Sequence, residues 1–129
     1  MKYQGKEDNF QISAMQLIRS KYPEMLAIHV PNGGKRNAKD GAKFKKMGVV
    51  AGVPDIMIFN PSGKWIGLAI ELKTSGGSIR PTQLLFHGQL TKLGWCVWIA
   101  WNLDDVDHIL AGYISGNTEH WKKITAAHN

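Results

Sequence analysis

Two carboxylates and a lysine stand out in the stretch GVPDIMIFNPSGKWIGLAIELKT, because each carboxylate lies at the outer end of an apolar run. Asp55 opens the first run, Glu71 ends the second, and Lys73 follows two residues later. Two carboxylates side by side offer the oxygen ligands that Mg²⁺ accepts, and a nearby lysine offers a compact positive charge. The same residues would also suit a surface hairpin with charged ends, in which Lys73 only pairs with Glu71.

The turn between the two runs determines whether the carboxylates meet. The segment NPSGK carries a proline and a glycine, and folding the chain about Gly63 places position 55 opposite position 71, within a residue of register. Side chains alternate along a strand, so Glu71 and Lys73 share one face while Leu72 points into the core. The carbonyl of Leu72 would then lie near the carboxylates as a further oxygen ligand. Adjacent carboxylates repel each other without a cation, which favours a divalent metal site.

The elements around this hairpin follow from apolar spacing and turn residues. A helix is predicted from about Asp8 to Lys21, followed by a short strand at MLAIHV and a basic helix that stops at Gly48. After the hairpin, a helix is predicted from near Pro81 to Gly94, followed by a fully buried strand at WCVWIAW and a last helix. The expected order is therefore α-β-α-β-β-α-β-α.

The composition indicates one small globular domain spanning residues 1–129. Of the 129 residues, 43% are apolar and 20% are charged, which is typical of proteins with a buried core. Cys96 is the single cysteine, so no internal disulfide can form and a reducing cytoplasm is expected. The first ten residues are too polar for a signal peptide, and the longest apolar run is too short to span a membrane. No nucleotide-binding glycine loop is present, so no nucleotide cofactor is expected.

The charge is unevenly distributed. The net charge is +6, and one segment, KRNAKDGAKFKKMG, holds the basic residues Lys35, Arg36, Lys39, Lys43, Lys45 and Lys46 against a single acid. On a helix, the spacing of three and four residues places four of them on one stripe, namely Arg36, Lys39, Lys43 and Lys46. Such a stripe can be a solvated face. Its proximity in sequence to the two carboxylates favours a phosphate-binding surface instead.

Four segments in a fixed order resemble the VRR-NUC (virus-type replication-repair nuclease) family of the PD-(D/E)XK nuclease superfamily. They are HVPNGGKR, MGVVAGVPDIMIF, LAIELKTSGGSIRPTQ and LGWCVWIAW, and the resemblance extends over roughly residues 7–107. It implies an α/β fold of the restriction-endonuclease type, with a mixed central β-sheet flanked by helices. The small, stand-alone members of this family are typically encoded by bacterial viruses, so a phage source is expected.

The resemblance also implies roles for individual residues. Asp55 and Glu71 would bind the divalent metal together with the carbonyl of Leu72. Lys73 would orient the attacking water and offset charge on the phosphate. Gln83, at the start of the following helix, would lie near the scissile phosphate and belong to the catalytic residues.

Several further residues match the family less specifically. Glu7 stands where the family often has an acid in its first helix, with Gln11 one turn later, yet Glu7 also suits a simple N-terminal helix acid. Asn32 would contact the phosphate backbone of DNA together with the basic stripe. His29 could approach the same backbone, but a structural role is the favoured expectation. His87 lies one helical turn after Gln83 and could therefore point toward the site, but a partly exposed helix residue is the favoured expectation.

These expectations describe a Mg²⁺-dependent DNA endonuclease, with Mn²⁺ as a substitute metal. Family members of this size resemble structure-selective enzymes that act on branched DNA as homodimers and resolve four-way (Holliday) junctions by paired cuts. One alternative is a monomeric nuclease that is flap-directed or nonspecific. A second alternative, from another functional class, is a DNA-binding module without catalysis.

Overall fold

A computed structural model describes residues 5–31 and 38–116, with positions 38 and 39 described by their backbone alone. The helices are α1 (Lys6–Lys21), α2 (Ala38–Lys46), α3 (Pro81–Leu93) and α4 (Leu103–Ser115). The strands are β1 (Ala27–His29), β2 (Ile56–Ile58), β3 (Gly67–Leu72) and β4 (Trp95–Ala100). This order confirms the one expected from the sequence. No helix among the described residues is long and apolar enough to cross a membrane.

The four strands form one mixed sheet in the order β1-β2-β3-β4. The first three strands pair antiparallel, while β3 and β4 pair parallel. The parallel pair requires a crossover, and α3 provides it. The α/β class and the mixed sheet flanked by helices therefore agree with the sequence-based expectation.

Helices cover both faces of this sheet. One face packs against α1 and α4, where Ile18 and Ile109 join Ile56 and Ile70 in a fully buried core. The other face packs against α3 through a smaller apolar cluster, which contains Met57, Ala69 and Leu90. Because side chains alternate along β3, Ala69 and Glu71 face α3 while Ile70 faces the other layer. Glu71 therefore lies between the sheet and α3.

The prediction that β4 is fully buried is wrong. Cys96 and Ala100 are buried, but the other four residues of the strand are only half-buried, namely Trp95, Val97, Trp98 and Ile99. The reason is topological, because among the described strands β4 lies at the edge of the sheet and pairs with β3 alone. Trp101 lies one residue beyond the strand and is also half-buried.

Candidate active site

The β2–β3 hairpin brings Asp55 and Glu71 together. Ile56 pairs with Ile70 in the ladder, so the next step along the hairpin sets position 55 opposite position 71, as the turn predicted. The main-chain N–H of Leu72 donates a hydrogen bond of 2.8 Å to Oδ2 of Asp55. The two carboxylates are therefore cross-strand neighbours at one end of the hairpin.

The turn of this hairpin lies one residue out of register with its ladder. Ser62 and Trp65 exchange two main-chain hydrogen bonds, of 3.0 and 2.9 Å, and enclose a two-residue turn of Gly63 and Lys64. Gly63 has φ +56°, which a glycine adopts without steric cost. Continued along the strands, the Ser62–Trp65 pairing would set Ile58 opposite Ala69, whereas the ladder pairs Ile58 with Leu68, so one extra residue on the β2 side lies between the turn and the ladder. A shift of the ladder itself by one residue would turn the carboxylates to the other face of the sheet.

The segment GVPD before β2 packs against the first turn of α3. Gly52 has φ +92°, and a Cβ added there would lie 2.3 Å from the carbonyl oxygen of Thr82. Only glycine permits this close approach at that φ value. Pro54 is fully buried, and the carbonyl of Asp55 accepts hydrogen bonds from the N–H of Val30 at 2.9 Å and from the ring Nδ1 of His29 at 2.8 Å.

Helix α3 contributes Gln83 on the face that meets Glu71. Its Nε2 donates to Oε2 of Glu71 at 3.2 Å, while its Oε1 accepts from Nζ of Lys73 at 3.0 Å. The same Oε1 accepts the main-chain N–H of Arg80 at 2.9 Å, which fixes the side chain at the helix start. Gln83 thus joins the proposed metal ligand to the proposed catalytic lysine.

The expectation that His87 is partly exposed is wrong. His87 is buried, and its Nε2 lies 3.1 Å from Oε1 of Glu71. The spacing of four residues from Gln83 was the available signal, since it places both side chains on one helical face. That this face meets the sheet, and not solvent, depends on how α3 crosses from β3 to β4.

Burial and crowding dominate the electrostatics of the carboxylate pair. Glu71 is only 2% exposed. Burial, followed by the adjacent Glu71, raises the pKa of Asp55 from 3.8 to about 7, although the amide of Leu72 and the charge of Lys73 act in the opposite direction. Among the described residues, Lys73 forms no ion pair with Glu71, and its ammonium group bonds to Gln83 instead. The surface-hairpin alternative, in which Lys73 pairs with Glu71, is therefore not what the structure contains.

The carboxylates open into a cavity of about 630 Å³. Asp55, Glu71, Leu72, Lys73 and Gln83 all line it, so the residues predicted from the hairpin and from α3 are brought together. Arg80 lines the same cavity, and sequence reasoning missed it, although a basic residue directly before the helix that carries Gln83 was a visible signal.

Glu7 and Gln11 of α1 also line the cavity. The buried Nε2 of Gln11 has no hydrogen-bond partner among the described residues. Within the same part of the chain, no group of three or more His, Cys, Asp and Glu side chains could hold a metal ion. Glu7 thus reaches the cavity wall without forming a three-carboxylate cluster with Asp55 and Glu71.

The basic stripe is only partly described. Lys43 and Lys46 lie on α2 and are exposed, and Lys39 is within the same helix, with its side chain outside the described atoms. Asn32, Lys35 and Arg36 lie outside the described residues. The helix stops as predicted, because Gly48, with φ +105°, closes it through a hydrogen bond to the carbonyl of Lys45.

Comparison with known proteins identifies one matching family and similar solved structures. The sequence profile of the VRR-NUC domain matches residues 6–100. A solved structure described as "VRR_NUC domain protein" is 29% identical, with a TM-score of 0.71 over 88% of this chain and 92% of that chain. A second, described as "VRR_NUC domain", is 18% identical, with a TM-score of 0.52 over 80% of this chain and 96% of that chain, and supports the fold alone. A search of curated proteins found no match.

Proposed function

The chain belongs to the VRR-NUC family, whose domain is a nuclease of the PD-(D/E)XK type, and from this premise we propose that it is a metal-dependent, structure-selective DNA endonuclease. The observation that carries the proposal is the pairing of Asp55 and Glu71 across the hairpin. Lys73 lies on the same face, and all three side chains line one cavity. Hydrolysis of a phosphodiester needs an activated water and positive charge near the phosphate, and these residue types supply the means for both.

The donor set fits a hard divalent cation. The two carboxylates face each other with the pKa of Asp55 raised to about 7, so a cation that neutralised them would relieve their repulsion. The amide of Leu72 points at Asp55, and the amide and carbonyl of one strand residue point to the same edge. The carbonyl of Leu72 is therefore the third oxygen ligand that we propose for Mg²⁺, with Mn²⁺ as a substitute.

A bound Mg²⁺ would lower the pKa of a water molecule and stabilise negative charge on the phosphate. Lys73 would orient the attacking water and offset charge on the phosphate, because its ammonium group carries three donors and is not needed as a ligand. Gln83 would hold Lys73 and Glu71 at a fixed separation beside the scissile phosphate, through the two bonds of its amide group. Glu7 would support the site from α1.

The DNA would approach across the positive surface of the protein. The net charge of +6 favours a polyanion, and the exposed Lys43 and Lys46 lie on the helix that precedes GVPD. We assign phosphate contacts to these two residues and to Asn32, Lys35, Arg36 and Lys39. We propose a cytoplasmic location, because DNA is the substrate and the single cysteine, Cys96, is a free, buried thiol. For a phage protein, this is the cytoplasm of the host.

The preferred substrate that we propose is a four-way junction, resolved by a homodimer. The proposal rests on the resemblance to small family members, and on the match between a two-fold enzyme and a branched substrate of the same symmetry. Cleavage of labelled junctions, flaps, duplexes and single strands, with Mg²⁺, Mn²⁺ or chelator, tests it. We expect metal-dependent cuts that favour junctions, and loss of cleavage in Asp55→Asn and Glu71→Ala with DNA binding in chelator retained.

Each outcome of this experiment has a consequence. Full activity of Glu71→Ala would remove the metal-site hypothesis. Preference for flaps, or equal cleavage of all substrates, would favour the monomeric nuclease. DNA binding without cleavage in any metal would favour the non-catalytic module.

Mixing experiments test the homodimer directly. Wild-type chains co-expressed with a large excess of Glu71→Ala chains would form dimers with a single working site. Such dimers should nick a cruciform in a supercoiled plasmid, whereas the wild-type homodimer should linearise it by paired cuts. An unchanged ratio of nicked to linear product would indicate independent monomers.

A further inference from the structure

His87 is a buried polar residue whose side chain faces the candidate active site. It is 9% exposed, and burying an imidazole costs free energy unless the ring is hydrogen-bonded. Its Nε2 meets that need at Oε1 of Glu71, at 3.1 Å. Apolar neighbours on the same helix, Phe86 and Leu90, supply packing against the sheet. Filling the space beneath α3 would not by itself require a histidine.

The contact completes a set of donors around one carboxylate. Oε1 of Glu71 lies against His87, and Oε2 accepts the amide of Gln83 at 3.2 Å. The partner acid is held differently, because Oδ2 of Asp55 accepts a main-chain N–H, from Leu72. Glu71 has one more methylene than Asp55 and so one more rotatable bond, and two side chains of α3 restrain it.

We propose that His87 is a positioning residue for Glu71, with its Nε2–H donating to Oε1. The proposal rests on the metal site described above and adds to it a residue that holds one of the proposed ligands. The hydrogen bond fixes the rotation of the carboxylate, so that lone pairs not used by His87 and Gln83 face the cavity. His87 itself touches neither substrate nor metal. Partners of this kind typically change metal affinity or activity by about 10- to 100-fold when they are removed.

The test measures metal binding in the absence of DNA, with Mn²⁺ as the probe in titration calorimetry. His87→Leu removes the donor and leaves a buried apolar side chain, whereas His87→Gln retains an amide donor. We expect His87→Leu to weaken Mn²⁺ binding by about 10- to 100-fold, and His87→Gln to restore most of the affinity. Phe86→Leu is the matched control, because it alters packing at the adjacent position of α3 without touching a donor.

Wild-type affinity in His87→Leu would overturn the proposal, as would equal losses in His87→Leu and Phe86→Leu. If His87→Leu does not fold, the proton position in the wild-type ring decides instead. Long-range ¹H–¹⁵N correlation in chelator at about pH 8 should find a proton on Nε2, and an unprotonated Nε2 would contradict the donor role. Glu71→Ala separates the two hypotheses: unchanged Mn²⁺ binding there would refute the metal site itself. Loss of binding in Glu71→Ala with normal binding in His87→Leu would refute only the role of His87.

Discussion

Gln83 joins three parts of the candidate active site through one amide group. Its oxygen accepts from Lys73 and from the main chain of Arg80, and its nitrogen donates to Glu71. An amide is suited to this position because it offers donors and acceptors at once without adding charge. A glutamate there would place a third negative charge beside Asp55 and Glu71, so the identity of the residue matters as much as its position.

Lys73→Met should separate binding from turnover. The change removes the ammonium group and retains much of the aliphatic stem, so the carboxylates still bind metal while water and phosphate lose their partner. We expect turnover to fall by at least about 100-fold, with Mn²⁺ affinity close to that of the wild type. Lys92→Met, an exposed residue in the last turn of the same helix that carries Gln83, is the control. Wild-type turnover in Lys73→Met would mean that the lysine only balances charge.

The raised pKa of Asp55 predicts how stability depends on pH. Its pKa is 3.8 when unperturbed and about 7 in the folded protein, so the unfolded chain releases this proton first as the pH rises. In chelator, the corresponding stability is fully present below about pH 4 and is lost as the pH rises through about 7. A tenfold change in proton affinity corresponds to about 1.4 kcal/mol, and partial exposure of Asp55 reduces the total to roughly 2–4 kcal/mol.

Urea unfolding in chelator between about pH 5 and pH 8 measures this effect. The free energy of unfolding should decrease with pH in the wild type, and the decrease should be smaller in Asp55→Asn, which cannot ionise. Mg²⁺ at a saturating concentration should restore stability at the upper end of this range by mass action. Parallel pH profiles in chelator would show that Asp55 titrates normally.

The residues that carry the proposed chemistry could be found from the sequence because they lie in one hairpin. The turn at Gly63 and the alternation of side chains were sufficient to pair position 55 with position 71 and to set Lys73 on the same face. His87 could not be placed in the same way, since its contact with Glu71 depends on how α3 packs against the sheet. Arg80 lines the cavity for the same tertiary reason.

At the scale of the elements, the loop that ends in GVPD lies close against the first turn of α3. Gly52→Ala should displace it, because the new methyl group would overlap the carbonyl of Thr82 at 2.3 Å. Gly48→Ala is a matched control with φ +105° and open space around the added Cβ, so it carries only backbone strain of about 1–2 kcal/mol. We expect Gly52→Ala to lower the free energy of unfolding by at least about 1 kcal/mol more than the control.

The same pair of variants tests whether the docking matters for cleavage. Displacement of the loop would move Asp55 relative to Gln83, so Gly52→Ala should lower turnover whereas Gly48→Ala should not. Equal stability and equal turnover in the two variants would show that the close approach of Gly52 to α3 contributes nothing to the site.

The basic helix α2 is expected to bind phosphates without reading bases. Replacing Lys39, Lys43 and Lys46 with Ala should weaken DNA binding for every sequence. The slope of log affinity against log salt should decrease by about 0.9 per lost contact, and thus by roughly two to three units if all three contribute. The control, with Ala at Lys6, Lys64 and Lys92, removes the same net charge from exposed positions on other elements. Equal changes in slope in the two triple variants would assign the effect to net charge alone.

Sequence patterns predicted the existence and order of the elements better than their environment. The apolar run of β4 indicated a fully buried strand, yet its position at the sheet edge leaves Trp95 and Trp98 half-buried. An unbroken apolar run indicates that a segment can be buried, but it carries no information on how many strands will pair with it. The strand order depends on the crossover through α3, which is a tertiary property.

For the molecule as a whole, the mixed sheet determines the order in which its parts can assemble. The strands of the β2–β3 hairpin are joined by a short loop, whereas the parallel strands β3 and β4 are separated by the whole segment that contains α3. Hairpins form in about 1–10 μs, whereas parallel pairing between strands far apart in the sequence is slower because it requires non-local contacts. Asp55 and Glu71 would thus meet while Gln83 and His87 are still absent.

Before Gln83 and His87 supply their donors to Glu71, repulsion between the two acids should destabilise the early hairpin and so slow the folding steps that depend on it. Stopped-flow refolding in chelator should slow between about pH 5 and pH 8, and Asp55→Asn should refold at a rate that changes less with pH. Mg²⁺ should accelerate refolding of the wild type at the upper pH, and a refolding rate that does not change with Mg²⁺ would contradict this order of events. The ion proposed as the catalyst would then act first as an assembly factor, with the nascent hairpin as its earliest binding partner.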